Sequence, residues 1–438
     1  MVVVAENIQA WQNHAVYGEY LIHKLAHSVY APVMDGEAQI ALGTRYFEHQ
    51  AEMDRAKWYN GVGIYYRMQR NDIGRALESH HVALALADGV QRPSLVGRKA
   101  LTSTSLILSK TGNHIEAQKY ARQAQGYAEI LGNIAGQAYA LCIEAKCWMA
   151  LSDFRYAADL CNRSRTLLES SGLQGGTLDI FVQQQEAEIH LLKTEYKEAR
   201  HIHETTINSI PPGQPPTINT VLSHLNLALI YIATEASPEL VNKHLDISRQ
   251  HFNTTFAYPT GRLYCDMAHA DLYLRTGQPV AARLLLEECY AAARGKLEEG
   301  ATFCLERLAD LSHGLNDQYT TAHWANVYLG SALKSKDSLA MMKAIKCFGE
   351  IFLSNGDNQT ALNLFTVALG GFTFMDVHRW KGTCMIRIAD ILAARGEFLK
   401  SREFWTSGRV LLARCSQVTD TALVDAKLET LKLCQRMD

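Results

Sequence analysis

What most constrains this chain is a turn that keeps returning. The stretch FGEIFLSNGDNQTALNLFTVAL, from Phe348 to Leu369, shows it in its clearest form. Ile345, Phe348, Phe352 and Leu353 share one face at helical spacing, and Leu362, Phe365, Ala368 and Leu369 share another after the break. Between them, Gly356 suits the left-handed backbone that ends a helix, and the Asp357 carboxylate suits the orphan backbone donors of the next one. These residues predict a helical hairpin. Ala361 stands one turn into its second helix, where a methyl group lets the helices approach and a larger side chain overpacks the contact at roughly 1–3 kcal/mol.

Aligned on that small residue, the signature recurs at Ala76, Ala117, Ala157, Ala199, Leu240, Ala282, Thr321, Ala361 and Ser401, with steps of 41, 40, 42, 41, 42, 39, 40 and 40 residues. Nine hairpins in so regular a register imply an all-α solenoid with one continuous core. Such a core removes the usual inference from length to domain number.

The copy Gly349, Phe352, Gly356, Asp357, Ala361, Leu362, Phe365, Ala368, Leu369 resembles the tetratricopeptide repeat, with Tyr231 and Tyr273 in the place of Phe352 in two other copies and Pro211 where that family often ends a repeat. The departure is the period, about 41 against the ~34 of the standard unit, which adds about one turn to each helix. The longer form is similar to the repeats of kinesin light chains. Through YCDMAHADLYLRTG, CLERLADLS, LFTVALGGFTFMDVHR and SALKSKDSLA it resembles more closely the helical-repeat regions of mushroom-type fungi that follow a nucleotide-binding signalling module. From about Asp54 onward the resemblance implies a right-handed superhelix that binds protein partners in its concave face.

Composition narrows the function classes. A net charge of −2 speaks against a nucleic-acid surface, which needs a concentrated basic face. No apolar run approaches the ~20 residues of a membrane span, and the opening MVVVAENIQA reads as no secretory signal. A cytoplasmic protein is expected. The ten cysteines carry no CxxC pairing and read as small core residues, without metal or redox chemistry.

Residues 1–50 read as a helical cap or degenerate repeat, carrying Trp11, Tyr17, Leu21, Ile22 and Leu25 at helical spacing. Residues 51–208 then hold repeats one to four, and 220–416 hold repeats five to nine. Between them SIPPGQPPTIN, residues 209–219, contains four of the nine prolines and reads as a rigid elbow or a hinge. Residues 417–438 read as a capping helix.

Catalytic and cofactor signatures are largely missing. There is no GxxxxGK[ST] and no GxSxG; Gly61 and Gly63 lack a third glycine, His203-Glu204 lacks a second histidine at Ile207, and His23 with His27 lacks a third ligand. No catalytic residue, metal or cofactor is expected. One polar pattern stands out: in several hairpins the residue six before the turn glycine or its equivalent is an acid, at Glu188, Asp271, Asp310, Glu350 and Asp390. Bases lie one helical turn from the last four, with Arg275 beside Asp271, Arg307 beside Asp310, Lys346 beside Glu350 and Arg387 beside Asp390. By resemblance this strip, with Lys343, lines a groove for a protein or peptide partner; read from the residues alone, it is a ladder of exposed intrahelical ion pairs. A binding scaffold is the function expected. The alternative is a sensor or self-association segment of a signalling-ATPase system that works by conformational change.

Overall fold

Each turn signature becomes a helical hairpin in the computed structural model, which describes residues 15–27, 35–89, 93–209, 216–256 and 258–434. The first two helices among the described residues are α1 (Ala15–Ala26) and α2 (Gly36–Phe47). The nine hairpins begin with α3 (Glu52–Tyr65, extended by a π turn over Tyr66–Arg70) and α4 (Ile73–Asp88), then α5 (Leu95–Lys110) and α6 (His114–Ile130), α7 (Ile134–Ala150) and α8 (Phe154–Ser170). They continue with α9 (Thr177–Leu192) and α10 (Tyr196–Asn208), α11 (Ile218–Ala233) and α12 (Pro238–Thr254), α13 (Pro259–Arg275) and α14 (Pro279–Ala293). The last three are α15 (Glu298–Gly314) and α16 (Gln318–Ser335), α17 (Ser338–Ser354) and α18 (Asn358–Phe374), α19 (His378–Ala394) and α20 (Phe398–Arg414), followed by α21 (Val418–Cys434). Among the described residues every regular element is helical.

The turn chemistry is uniform beneath a variable sequence. Every hairpin turn holds one residue at positive φ: Asn71, Gly112, Ser152, Thr194, Glu235, Gly277, Asn316, Gly356 and Gly396. Five residues later comes the small side chain, fully buried at Ala76, Ala117, Ala157, Ala199, Ala282 and Ala361. The fifth hairpin departs from the expected alignment: its turn is one residue longer, Ser237 accepts the Val241 backbone N–H at 3.2 Å, and Val241 takes the buried position while Leu240 is only half-buried. Close approach also explains Gly349, where a Cβ would lie 2.8 Å from the Phe365 ring of the facing helix.

The chain divides into two compact units, each assembled from separate segments. Unit 1 comprises residues 1–147, 159–182 and 248–263. One of its cores joins Tyr17, Leu21 and Leu25 to Phe47, Trp58 and Tyr65, with Phe47 stacked on Trp58 at 5.1 Å; Trp11 lies outside the described residues. Unit 2 comprises 148–158, 183–247 and 264–438. Its cores include Leu305, Tyr328 and Ala344, and at the far end Trp405 and Leu412 against Val424 and Leu431 of α21.

Four non-glycine turns explain why glycine is missing from them. In unit 2, Ser152 Oγ accepts the backbone N–H of Leu339 at 2.8 Å, Thr194 Oγ1 that of Arg379 at 2.9 Å, and Glu235 Oε2 that of Thr419 at 3.1 Å. Each acceptor therefore satisfies a free N–H in the first turn of α17, α19 or α21, five hairpins further on. In unit 1, Thr260 in the first turn of α13 donates to Asn71 Oδ1 at 3.5 Å, in the same register. A side chain that caps a distant helix offsets the strain of a left-handed turn.

Of the proline-rich segment, residues 210–215 lie outside the described residues. The helices on either side are packed together in unit 2, where His203 Nδ1 meets Ser223 Oγ at 3.3 Å and Gln184 Nε2 donates to the Asn219 carbonyl at 2.7 Å. The nine described cysteines are all buried and free, and burial pushes the thiols of Cys289, Cys304 and Cys384 up to about 12, in keeping with core residues.

Candidate functional site

First helices of neighbouring hairpins lie side by side, α3 with α5 in unit 1 and α15 with α17 in unit 2. This follows from the repeat: each first helix starts from an equivalent turn, so residues in the same register form rows across it. The acidic strip is such a row. Its pairing differs from the intrahelical ladder the spacing suggests.

The bonds run between hairpins. Arg307 reaches back to Asp271 with two hydrogen bonds of 3.1 Å, Lys346 sits 3.7 Å from Asp310, and Arg387 Nε donates to Glu350 at 2.8 Å. Asp390 takes Lys427 of α21 at 2.7 Å, with Arg387 at 3.8 Å as the single intrahelical contact that remains. Arg275 does not pair with Asp271; its guanidinium donates to the carbonyls of Tyr231 and Ala236, at the end of α11. The reason is reach: a long base meets the acid of the preceding first helix more directly than one on its own helix. Nor is the ladder exposed throughout, for Lys346 and Glu350 are buried while Asp310 is exposed.

Glu306 is a member that the acid register missed. Buried and 3.0 Å from Lys343, it also accepts from Arg307 at 2.8 Å. Burial alone raises a carboxyl pKa, but Lys343 and Arg307 outweigh it and bring Glu306 down to about 2. Burial lowers an ammonium pKa, and the acids around Lys346, led by Asp310, reverse that and raise it. The ladder is balanced, each acid facing a base. A signal for it was present: acid and base stand 36 or 37 residues apart, one repeat less one helical turn.

Aromatic rings accompany these charges. The half-buried Trp380 has Lys343, Lys346 and Arg379 at 5.2, 5.3 and 4.9 Å from its ring centroid, and Arg307 lies 4.1 Å from that of Phe303. Both rings went unremarked in the sequence because neither falls on the acidic register.

The other candidate motifs resolve into packing. Gly63 sits against the His80 ring, His203 is buried against Ser223, and His23 and His27 are exposed, with the His27 ring on the His23 carbonyl. Among the described residues one trio, Glu195, Asp376 and His378, has metal-compatible spacing. The Lys193 ammonium lies 3.0 Å from both carboxylates, so the place of a cation is taken. No described helix is long and apolar enough to cross a membrane.

No family model and no curated protein matches this sequence. Solved structures do resemble it in fold. A Rap protein complexed with competence and sporulation factor aligns with a TM-score of 0.50 at 10% identity, over 76% of this chain and 97% of that one. The apo quorum sensor NprR from B. thuringiensis aligns at 0.45 and 14% identity, over 84% and 99%, and yeast Tom70 at 0.41 and 11%, over 96% of each chain. The fold is that of the tetratricopeptide-like helical repeats, an all-α solenoid.

Proposed function

We propose that this chain is a non-catalytic scaffold that binds a protein or peptide partner along the wall of its first helices, the concave face in the expected superhelix. The observation that carries this reading is the row of charged and aromatic side chains in repeat register, Asp271, Arg307, Lys343, Lys346, Glu350, Arg387 and Asp390 with Trp380 and Phe303 among them. A row held by its own ion pairs is rigid before any partner arrives, which reduces the ordering cost of binding. A fold neighbour in the Rap family was solved with competence and sporulation factor bound, which accords with a receptor role.

A second reading, self-association through the second helices, draws on their exposed apolar residues. Phe374 is 88% and Tyr319 87% exposed, and Val280, Tyr319 and Leu399 hold the same position in the first turns of α14, α16 and α20. A photo-crosslinking amino acid placed at Trp380, and separately at Phe374, distinguishes the two. Partner crosslinks from position 380, identified by mass spectrometry, support the wall. Crosslinks confined to position 374 and leading to a second copy of the chain overturn it in favour of assembly.

A further inference from the structure

The first-helix wall of unit 1 differs in charge from the ladder of unit 2. Arg98 in α5 is 8% exposed, and its guanidinium makes no hydrogen bond and no ion pair among the described residues. Its Nε has neither a partner nor solvent, and the guanidinium stem lies against Gly136 of α7, where a Cβ would stand 3.0 Å from Arg98 Cδ. Arg67, in the π turn that extends α3, has the same orphaned Nε. Lys110, at the end of α5, has only the Tyr258 hydroxyl at 3.4 Å and that ring at 5.7 Å. The one acid of the adjoining helix α7, Glu144, is buried and engaged by Arg122 at 2.8 Å. Helix α5 itself contains no acid at all.

A buried arginine without an anion is costly to keep, so in folded proteins such groups are paired or hydrogen-bonded. Helix α5 carries one in Arg98, and the half-buried Arg67 beside it in the extension of α3 has a shielded Nε without a partner. The field they create registers on two phenols. Burial pushes the Tyr258 hydroxyl up, yet Lys110, Arg67 and Lys146 outweigh it and leave its pKa below the ordinary value. Tyr139, where burial prevails, faces Arg67, Arg98 and Lys146 as well.

We infer that this wall of unit 1 is an anion-binding subsite that receives the acidic side chains of a peptide partner, with Arg98 and Arg67 as the groups that recognise the carboxylates and Lys110 beside them. The inference rests on the scaffold reading above and deepens it. The terminal nitrogens of a guanidinium form the fork that matches a carboxylate. A peptide fits better than a nucleic acid, because the cations are few and recessed, whereas phosphate backbones require a broad basic face.

The test uses the full chain and two fluorescein-labelled dodecapeptides, one of alternating Glu and Leu and one of alternating Gln and Leu, followed by anisotropy at ~100 mM salt. The Glu peptide should bind at least about tenfold more tightly than the Gln peptide, and Arg98→Met or Arg67→Met should remove that preference. Methionine fills most of the arginine volume without its charge, so Arg98→Met should melt at or above the temperature of the wild type. Equal binding of the two peptides overturns the inference, as does undiminished preference in both variants. A lowered melting temperature in both variants overturns it too, since the guanidinium groups would then be internal supports. Tighter Arg98-dependent binding of a single-stranded RNA twelve-mer would replace the peptide by nucleic acid. Partner crosslinks from position 380 together with no preference for the Glu peptide would leave the scaffold reading standing and remove this subsite alone.

Discussion

At the scale of single residues, the turns separate what the backbone wants from what the molecule uses. A left-handed turn favours glycine, and a β-branched residue there is strained. Thr194 nevertheless occupies one at φ 62°, because its hydroxyl accepts the Arg379 N–H at 2.9 Å in a helix that has no side-chain cap of its own. Thr194→Gly should therefore destabilise the protein by about 1 kcal/mol, although glycine suits the backbone, because a free helix N–H loses its acceptor. Thr194→Ser keeps the hydroxyl and sheds the branch, so it should be neutral or stabilising. Urea unfolding of the two variants decides the matter, and a stabilised Thr194→Gly would show that the cap contributes nothing. Gly356 and Asp357 were legible from their neighbours alone: the glycine stands at φ 79° and the aspartate accepts the Thr360 N–H at 3.0 Å. The purpose of Ser152, Thr194 and Glu235 was not legible, since their partners lie 184 to 187 residues away.

Between elements, the hairpins could be read because each is local, closed by its own turn and its own buried alanine. The ladder could be read in composition but not in direction. Helical spacing says which residues share a face, while the partner across the gap depends on how neighbouring first helices are set against each other, which is why Arg387 lies with Glu350 as well as near Asp390. The proline-rich segment reads by sequence as a rigid elbow or a hinge. The helices that flank it, α10 and α11, both belong to unit 2 and are joined through His203 and Ser223. Cleavage of an engineered protease site within residues 210–215 should leave the two fragments associated, co-eluting on size exclusion with the helical signal of the intact chain. Fragments that separate without unfolding would favour the hinge over the rigid elbow.

At the scale of the whole molecule, three of the buried histidines contribute to the response to acid. Burial lowers His80 to about 3 and His114 and His203 to about 4, with the charges of Arg67 and His81 adding to the effect at His80. Their rings are held neutral, His80 against Asn60 at 3.1 Å and His203 against Ser223 at 3.3 Å. The unfolded chain binds protons at these positions near pH 6.5 and the folded one does not, so the sign is fixed: stability is complete above about 6.5 and declines as pH falls toward the folded values. Between pH 7.5 and 5.5 each ring should cost about 1 kcal/mol, roughly 3–4 kcal/mol together. Glu306, held down to about 2 by Lys343 and Arg307 despite its burial, acts later; its contribution is whole above about 4.5 and is lost as pH approaches 2. The urea midpoint should thus fall already between pH 7.5 and 5.5, well before carboxylates titrate, and His203→Gln should reduce that fall by about one third of the three-ring effect. A midpoint that holds steady to pH 5 would mean that these rings accept protons in the folded chain, and that the polar contacts between α3 and α4 and between α10 and α11 open to admit them.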